Sequence, residues 1–358
     1  MTYTDAQLLD LAPVPGRIDR VRFDLVDQAL NLLGSFDVRD DSPPTVTNSS
    51  TARIFRTLSG LRVDPATEQQ IDPSSDRVRP TIVLNNGAEY PWGVFLYASA
   101  TRNLRSYGAD LTGDLVDQLA VLDLSGGTGV SFPAGEVITD AVDTLAQAAG
   151  IVERQIEASA ATLAEPIAWP IQTTRLTAMR ELTDQAGMLP PYFDNVGRLI
   201  VRSAPDPVLV SPSLVYDVGG VGFGRIIDGT VNESTDFFAP NRFVTINNSP
   251  TGVEVIGTYE IDPTAPNSVP NRGFAIPEVV DLQGMATAAD AESAARSRAA
   301  ETASSAVRLS FGSTLDPRHD TFDALLVFGD VYLEVGWRCT LGPGGPMDHD
   351  VRRVQFDA

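Results

Sequence analysis

Val21, Phe23 and Leu25 alternate with Arg22 and Asp24, which predicts a strand with one buried face. Ile82–Leu84, the turn Asn85-Asn86-Gly87 and then Trp92–Tyr97 predict a hairpin, because Asn-Gly tolerates positive φ and matches strand twist. Residues 64–76, rich in Pro, Asp and Gln, predict a surface loop, and residues 110–124 a strand, with a short helix as the alternative. The spacing then changes to helical: Ile138, Val142 and Leu145 share one face of a helix over 137–149. A second helix begins at Thr173 or Thr174, whose hydroxyl can cap the first turn, and carries Leu176, Met179, Leu182 and Ala186 inward. Both helices end small-Gly-apolar (Ala149-Gly150-Ile151, Ala186-Gly187-Met188), the signature of a left-handed glycine stop, and Pro190-Pro191 forbid resumption. Tyr192-Phe193 and Leu199–Val201 predict two strands joined by a turn over 194–197.

Further on, Val253, Val255 and Gly257 alternate with Glu254 and Ile256. Val331, Leu333, Val335 and Trp337 alternate with Tyr332, Glu334, Gly336 and Arg338, the clearest two-residue period in the chain. An Ala-rich helix over 287–305 presents Ala295, Ala299 and Ala303 as a smooth face for a sheet; large apolar heptad residues for a coiled coil are missing. Ser125–Gly129 and the Pro- and Gly-rich residues 203–224 mark boundaries. The expected layout is an arm (1–16), a β-rich domain (17–131), a small α/β domain (132–206) and a second β-rich domain with one Ala-rich helix (207–358).

The 358 residues carry a formal net charge of −21, so the chain repels nucleic acid at long range. There is no run of about 18 apolar residues, so no membrane span is expected, and residues 1–15 lack the layout of a signal peptide. All 26 basic residues are arginine, which excludes a P-loop lysine and Schiff-base chemistry. Coding bias in a high-GC genome accounts for this, and arginine forks can also bridge carboxylates across subunits. The run Gly219–Gly224 is followed by strand-like Ile226-Ile227, so it reads as a linker or bulge and not as a phosphate loop.

Candidate chemistry is sparse. Cys339 is alone and sits at a strand end, where a buried small hydrophobe is expected. The two histidines lie among carboxylates, His319 in Asp316-Pro-Arg-His-Asp320 and His349 in Asp348-His-Asp350. Two oxygen-rich loops in one domain can converge on a cation or form an acid–base pair. Asx residues beside Pro and Gly more often make turns, and Arg318, Arg352 and Arg353 offer local partners, so the loops read as structural. No Gly-x-Ser-x-Gly elbow is present. The expectation is a non-enzyme with no catalytic, cofactor-binding or metal-binding residue.

Four stretches carry a family resemblance: Arg77-Val-Arg-Pro80 through Pro91–Tyr97; Trp169-Pro170 through Arg202, including Leu189–Asn195; Pro266–Ser268 through Arg272-Gly273; and Asp316–Asp320. In this order the chain resembles, over residues 17–358, the tail-hub (baseplate hub-like) minor tail proteins of tailed bacteriophages, closest in look to those of actinobacterial phages. The resemblance implies a β-rich α+β fold, with two barrel-like β domains flanking the small α/β domain. It also implies a virion part of a siphophage-like tail tip, made in the bacterial host cytoplasm, in which three chains close a ring with pseudo-sixfold symmetry around the DNA channel. Implied partners are the distal-tail ring, the tape-measure protein and the tip or fibre proteins; no stable nucleic-acid binding is expected. The alternatives are a tail-associated cell-wall hydrolase, needing only two carboxylates, and a receptor-binding tip module. Aromatics at 7% do not cluster as a sugar-stacking cleft, and the hub-like stretch leaves no room for an added hydrolase domain.

Overall fold

The computed structural model describes residues 18–39, 41, 43–105, 108–203, 212–218, 223–247, 255–281, 287–302, 307–342 and 344–353. The expected arm, residues 1–16, lies outside them. The first β-rich region contributes β1 (Ile18–Val26), β2 (Leu32–Phe36), β3 (Thr45–Ser49), β4 (Arg56–Val63), β5 (Arg77–Leu84), β6 (Glu89–Pro91), β7 (Phe95–Arg105) and β8 (Gly108–Asp117). The central region contributes the short strands β9 (Val130–Phe132), β10 (Arg154–Ile156), β11 (Ile167–Trp169), β12 (Tyr192–Phe193) and β13 (Leu199–Val201). Then follow β14 (Leu214–Tyr216), β15 (Asn232–Thr235), β16 (Arg242–Asn247), β17 (Val255–Glu260), β18 (Pro277–Asp281), β19 (Val307–Thr314), β20 (Ala324–Val327), β21 (Asp330–Thr340) and β22 (Pro346–Arg353).

Strands of the two β-rich regions join in a 14-stranded sheet whose main path runs β15-β19-β22-β21-β3-β4-β8-β7-β5-β1-β2. The seam is the antiparallel pair β21–β3, which sets Trp337 against Asn48 and Cys339 against Val46. The core on this seam draws Leu58, Val78, Trp92 and Phe95 from one region and Trp337, Cys339 and Met347 from the other. A separate three-stranded sheet, β17-β16-β18, carries the helix Ala288–Thr302, with Ala295 and Ala299 buried against Phe243 as the small-residue face requires.

The central helices follow their caps. Helix Arg175–Gln185 starts at Thr174, whose hydroxyl accepts from the Thr177 N–H at 3.2 Å. It stops at Gly187 (φ +67°), where the Met188 N–H reaches back to the Thr183 carbonyl at 2.9 Å. Helix Ile138–Ala148 stops the same way at Gly150 (φ +76°), with Ile151 N–H on Ala146 O. Residues 110–124 hold both expected elements, the end of β8 and a helical turn at Leu119–Leu122.

Three sequence expectations need correction. The Asn85–Gly87 turn joins β5 first to the three-residue β6; after Trp92, whose N–H still donates to Pro80 O, the chain breaks at Gly93 (φ +96°) and returns to β5 only at Phe95 and Leu96, opposite Val78 and Arg77. His349 lies in β22, not in a loop: Met347, His349 and Val351 point in, while Asp348 and Asp350 point to solvent. The alternation of β21 breaks at a bulge, since Trp337 pairs with His349 and Gly336 with Asp350, but Glu334 pairs with Val351. Val335 is skipped, so Glu334 turns to the same face as Trp337. The Val335 carbonyl accepts from both the backbone N–H and the hydroxyl of Ser50.

Candidate functional site

Arg56, at the start of β4, is 1% exposed and touches all three regions of the chain. Its guanidinium donates to Asn195 Oδ1 at 2.6 Å and Thr321 Oγ1 at 2.6 Å, pairs with Asp320, and lies over the Trp337 ring at 5.6 Å. Its backbone N–H donates to buried Asp117. Around it, Asn195 Nδ2 donates to the His319 carbonyl, Gly93 N–H to the Asn195 carbonyl, and Trp92 Nε1 to the Pro317 carbonyl. Trp92 and Trp337 pack with ring centroids 5.0 Å apart. Three of the four stretches that carry the resemblance, those around Trp92, Asn195 and Asp316–Asp320, therefore meet at one buried junction. The fourth, around Pro266–Gly273, packs instead beside β16, where Asn241 Nδ2 donates to the Asn267 carbonyl.

Beneath the junction, His319 and His349 do converge. Glu334 lies between them: Oε1 is 2.7 Å from His349 Nδ1, and Oε2 is in direct contact with His319 Nε2. His349 Nε2 is 2.8 Å from Ser313 Oγ, and His319 Nδ1 is 3.4 Å from the Tyr216 hydroxyl and 3.7 Å from Asp323 Oδ2. The rings are walled by Phe311, stacked on His349 at 4.5 Å, and by Trp337, edge-on to His319 at 5.7 Å. Burial, then the neighbouring His349 ring and the Arg56 charge, holds His319 well below the usual imidazole range; burial alone brings His349 down to about 3. Burial, then the charges of Asp323 and Asp350, pushes Glu334 well up. Burial and Asp320 raise Asp323 to about 7.

Ser313, His349 and Glu334 have the connectivity of a hydrolytic triad, which inspection of the sequence missed because the three residues come from separate strands. The side chains are sealed: Ser313 is 0% exposed and also bonds the Thr314 carbonyl, and a nucleophile needs a carbonyl carbon within reach. Cys339 is likewise buried, which pushes its thiol well up and leaves no thiolate. Arg318 pairs with Asp316 as its position in the loop suggests, but Arg353 pairs with Asp330 and not with its Asp348 or Asp350 neighbours. Of the glycine run, residues 219–222 lie outside the described residues; after Gly224 the chain bridges Ile226 to Ser313, with no helix to cradle a phosphate. Among the described residues no helix is long and apolar enough to cross a membrane.

No family model matches the sequence, and no curated protein matches it. The fold, in contrast, is similar over most of the chain to solved tail proteins, two of them from prophages. The tail protein from Neisseria meningitidis MC58 aligns over 93% of this chain and 95% of its own, with TM-score 0.60 and 13% identity. The 43 kDa tail protein of prophage MuSo2 from Shewanella oneidensis aligns over 93% and 98%, with TM-score 0.57 and 13% identity. Prophage tail protein gp18 from Listeria monocytogenes EGD-e aligns over 92% and 94%, with TM-score 0.55 and 10% identity. The chain shares with these tail proteins a β-rich α+β architecture.

Proposed function

We propose that the chain is a structural subunit of a bacteriophage tail tip, forming the hub ring that joins the tail tube to the tip and surrounds the DNA channel. The observation that carries this reading is the fold likeness over 93% of this chain and 95% of the Neisseria tail protein. The Arg56 junction supports it physically. A subunit that transmits load between tube and tip needs its β-rich and α/β parts locked together, and here one guanidinium ties them. The charge of −21 suits a channel wall past which DNA slides without sticking. Exposed Phe237 contacts the exposed rings of Phe238 at 5.3 Å and Phe274 at 5.9 Å, giving the surface an apolar cluster of the kind an assembling subunit buries.

In this reading residues 17–131 and 207–358 line the ring, residues 132–206 lie outside it, and three chains close it. The distal-tail ring sits above, the tape-measure protein inside, and tip or fibre proteins below. The lysine-free composition and the look of the sequence favour an actinobacterial host. The test is to purify particles of the phage that encodes this chain, count its copies by quantitative mass spectrometry, and locate it by antibody labelling. Three copies per particle at the tail tip are expected; absence from intact particles sinks the proposal.

A further inference from the structure

We propose that His319, Glu334 and His349 form a buried structural site for a divalent transition-metal cation of the zinc class. The donor atoms, one per residue, lie within 4.8 Å of one another, and all three residues are buried. A four-coordinate zinc with bonds of about 2.0–2.2 Å sets its donors about 3.3 Å apart, so small side-chain rotations bring the three into place, with a water completing the tetrahedron. Two imidazoles and a carboxylate are the donor set zinc prefers over calcium or magnesium.

Three independent features of the fold point the same way. First, the orientation of each ring is fixed from behind. His349 turns Nδ1 to Glu334 while Ser313 holds Nε2 at 2.8 Å, and His319 turns Nε2 to Glu334 while Tyr216 and Asp323 face Nδ1. Metal-bound histidines are held in this way, through the nitrogen that does not ligate. Second, His319 Nε2 and Glu334 Oε2 press on each other, yet neither has a hydrogen bond of ordinary geometry. Buried polar atoms left in that state mark a missing partner. Third, no guanidinium fills the place a cation would take: Asp316 and Asp320 are paired with Arg318 and Arg56, whereas Glu334 and Asp323 have no arginine partner among the described residues. The β21 bulge, which aims Glu334 inward at the expense of the regular ladder, then has a purpose.

The site is sealed, so the metal must enter during folding, and the test follows from that. The full chain, made without a histidine tag, is unfolded in denaturant with a chelator, refolded with Zn²⁺ alone, gel-filtered and assayed for zinc. About one zinc per chain is expected, with Co²⁺ in its place giving the intense visible bands of a tetrahedral site. Glu334→Gln should lower the stoichiometry at least about tenfold. Should that variant fail to refold, the wild-type chain still decides: refolding with zinc should raise its thermal midpoint over refolding with chelator. Wild-type protein with less than about 0.1 zinc per chain, equal midpoints with and without metal, or full zinc retention in a folded Glu334→Gln chain each overturn the proposal.

Discussion

Arg56 shows what a single residue does in this fold. Five donors in a planar fork reach Asn195, Asp320 and Thr321 at once, which a lysine ammonium cannot match. Arg56→Lys should therefore destabilise the chain, and Arg56→Ala should cost about 2–6 kcal/mol in denaturant unfolding, about 1–3 for each of the Asn195 and Thr321 side chains left without its partner, the part-exposed Asp320 adding little. A change below about 1 kcal/mol for Arg56→Ala would mean the junction is not a structural node. Asp117, beside Arg56, titrates in the opposite sense to a typical paired carboxylate. Burial raises it to about 7 from 3.8, against the pull of Arg56 and two backbone N–H groups. Between these values the folded chain binds more protons than the unfolded chain, so Asp117 makes stability fall as pH rises from about 4 to 7. Asp117→Asn should flatten that fall; unfolding curves at several pH values, parallel for both proteins, would contradict it.

At the scale of elements, helix boundaries were legible in the sequence because local chemistry sets them. Thr174, Gly150 and Gly187 act through hydrogen bonds within a few residues of themselves. The strand errors have non-local causes. Alternation predicted Val335 facing Trp337's side and Glu334 opposite, but one bulge residue reverses the phase, and its carbonyl is satisfied by Ser50, 285 positions away. The Asp-His-Asp segment read as a turn because Asp favours turns, although Met347, His349 and Val351 already had period two. The two histidine segments could be named from the sequence, but their meeting with Glu334 could not. That meeting depends on β22 pairing with β21 and on the 316–320 loop folding back over both. Packing of the Ala-rich helix offers a sharp test. A Cβ built on Gly257 in β17 would lie 2.1 Å from the Ala291 backbone, and Thr245 already bonds the Ala291 carbonyl. Gly257→Ala must push the helix off its sheet and should cost about 1–3 kcal/mol or more. An unchanged thermal midpoint would show that the helix does not sit there.

For the whole molecule, the sequence has no lysine, the Cys339 thiol is buried and the Ser313–His349–Glu334 chain is sealed. The pure protein should give no clearing of a gel impregnated with host cell walls; clearing that one carboxylate substitution abolishes would restore the hydrolase alternative. In the proposed trimer three chains at −21 would carry −63, and exposed arginine–carboxylate pairs return only about 0–1 kcal/mol each, so repulsion would oppose ring closure at low salt. Screening with a Debye length of about 10 Å at 0.1 M salt weakens that repulsion. The most direct measurement is therefore the mass of the purified chain by light scattering across a salt and concentration series. The account predicts a shift from the 38.3 kDa chain toward three times that mass as salt rises from low to moderate. A 38.3 kDa particle at every salt and at high protein concentration would contradict a self-closing hub ring.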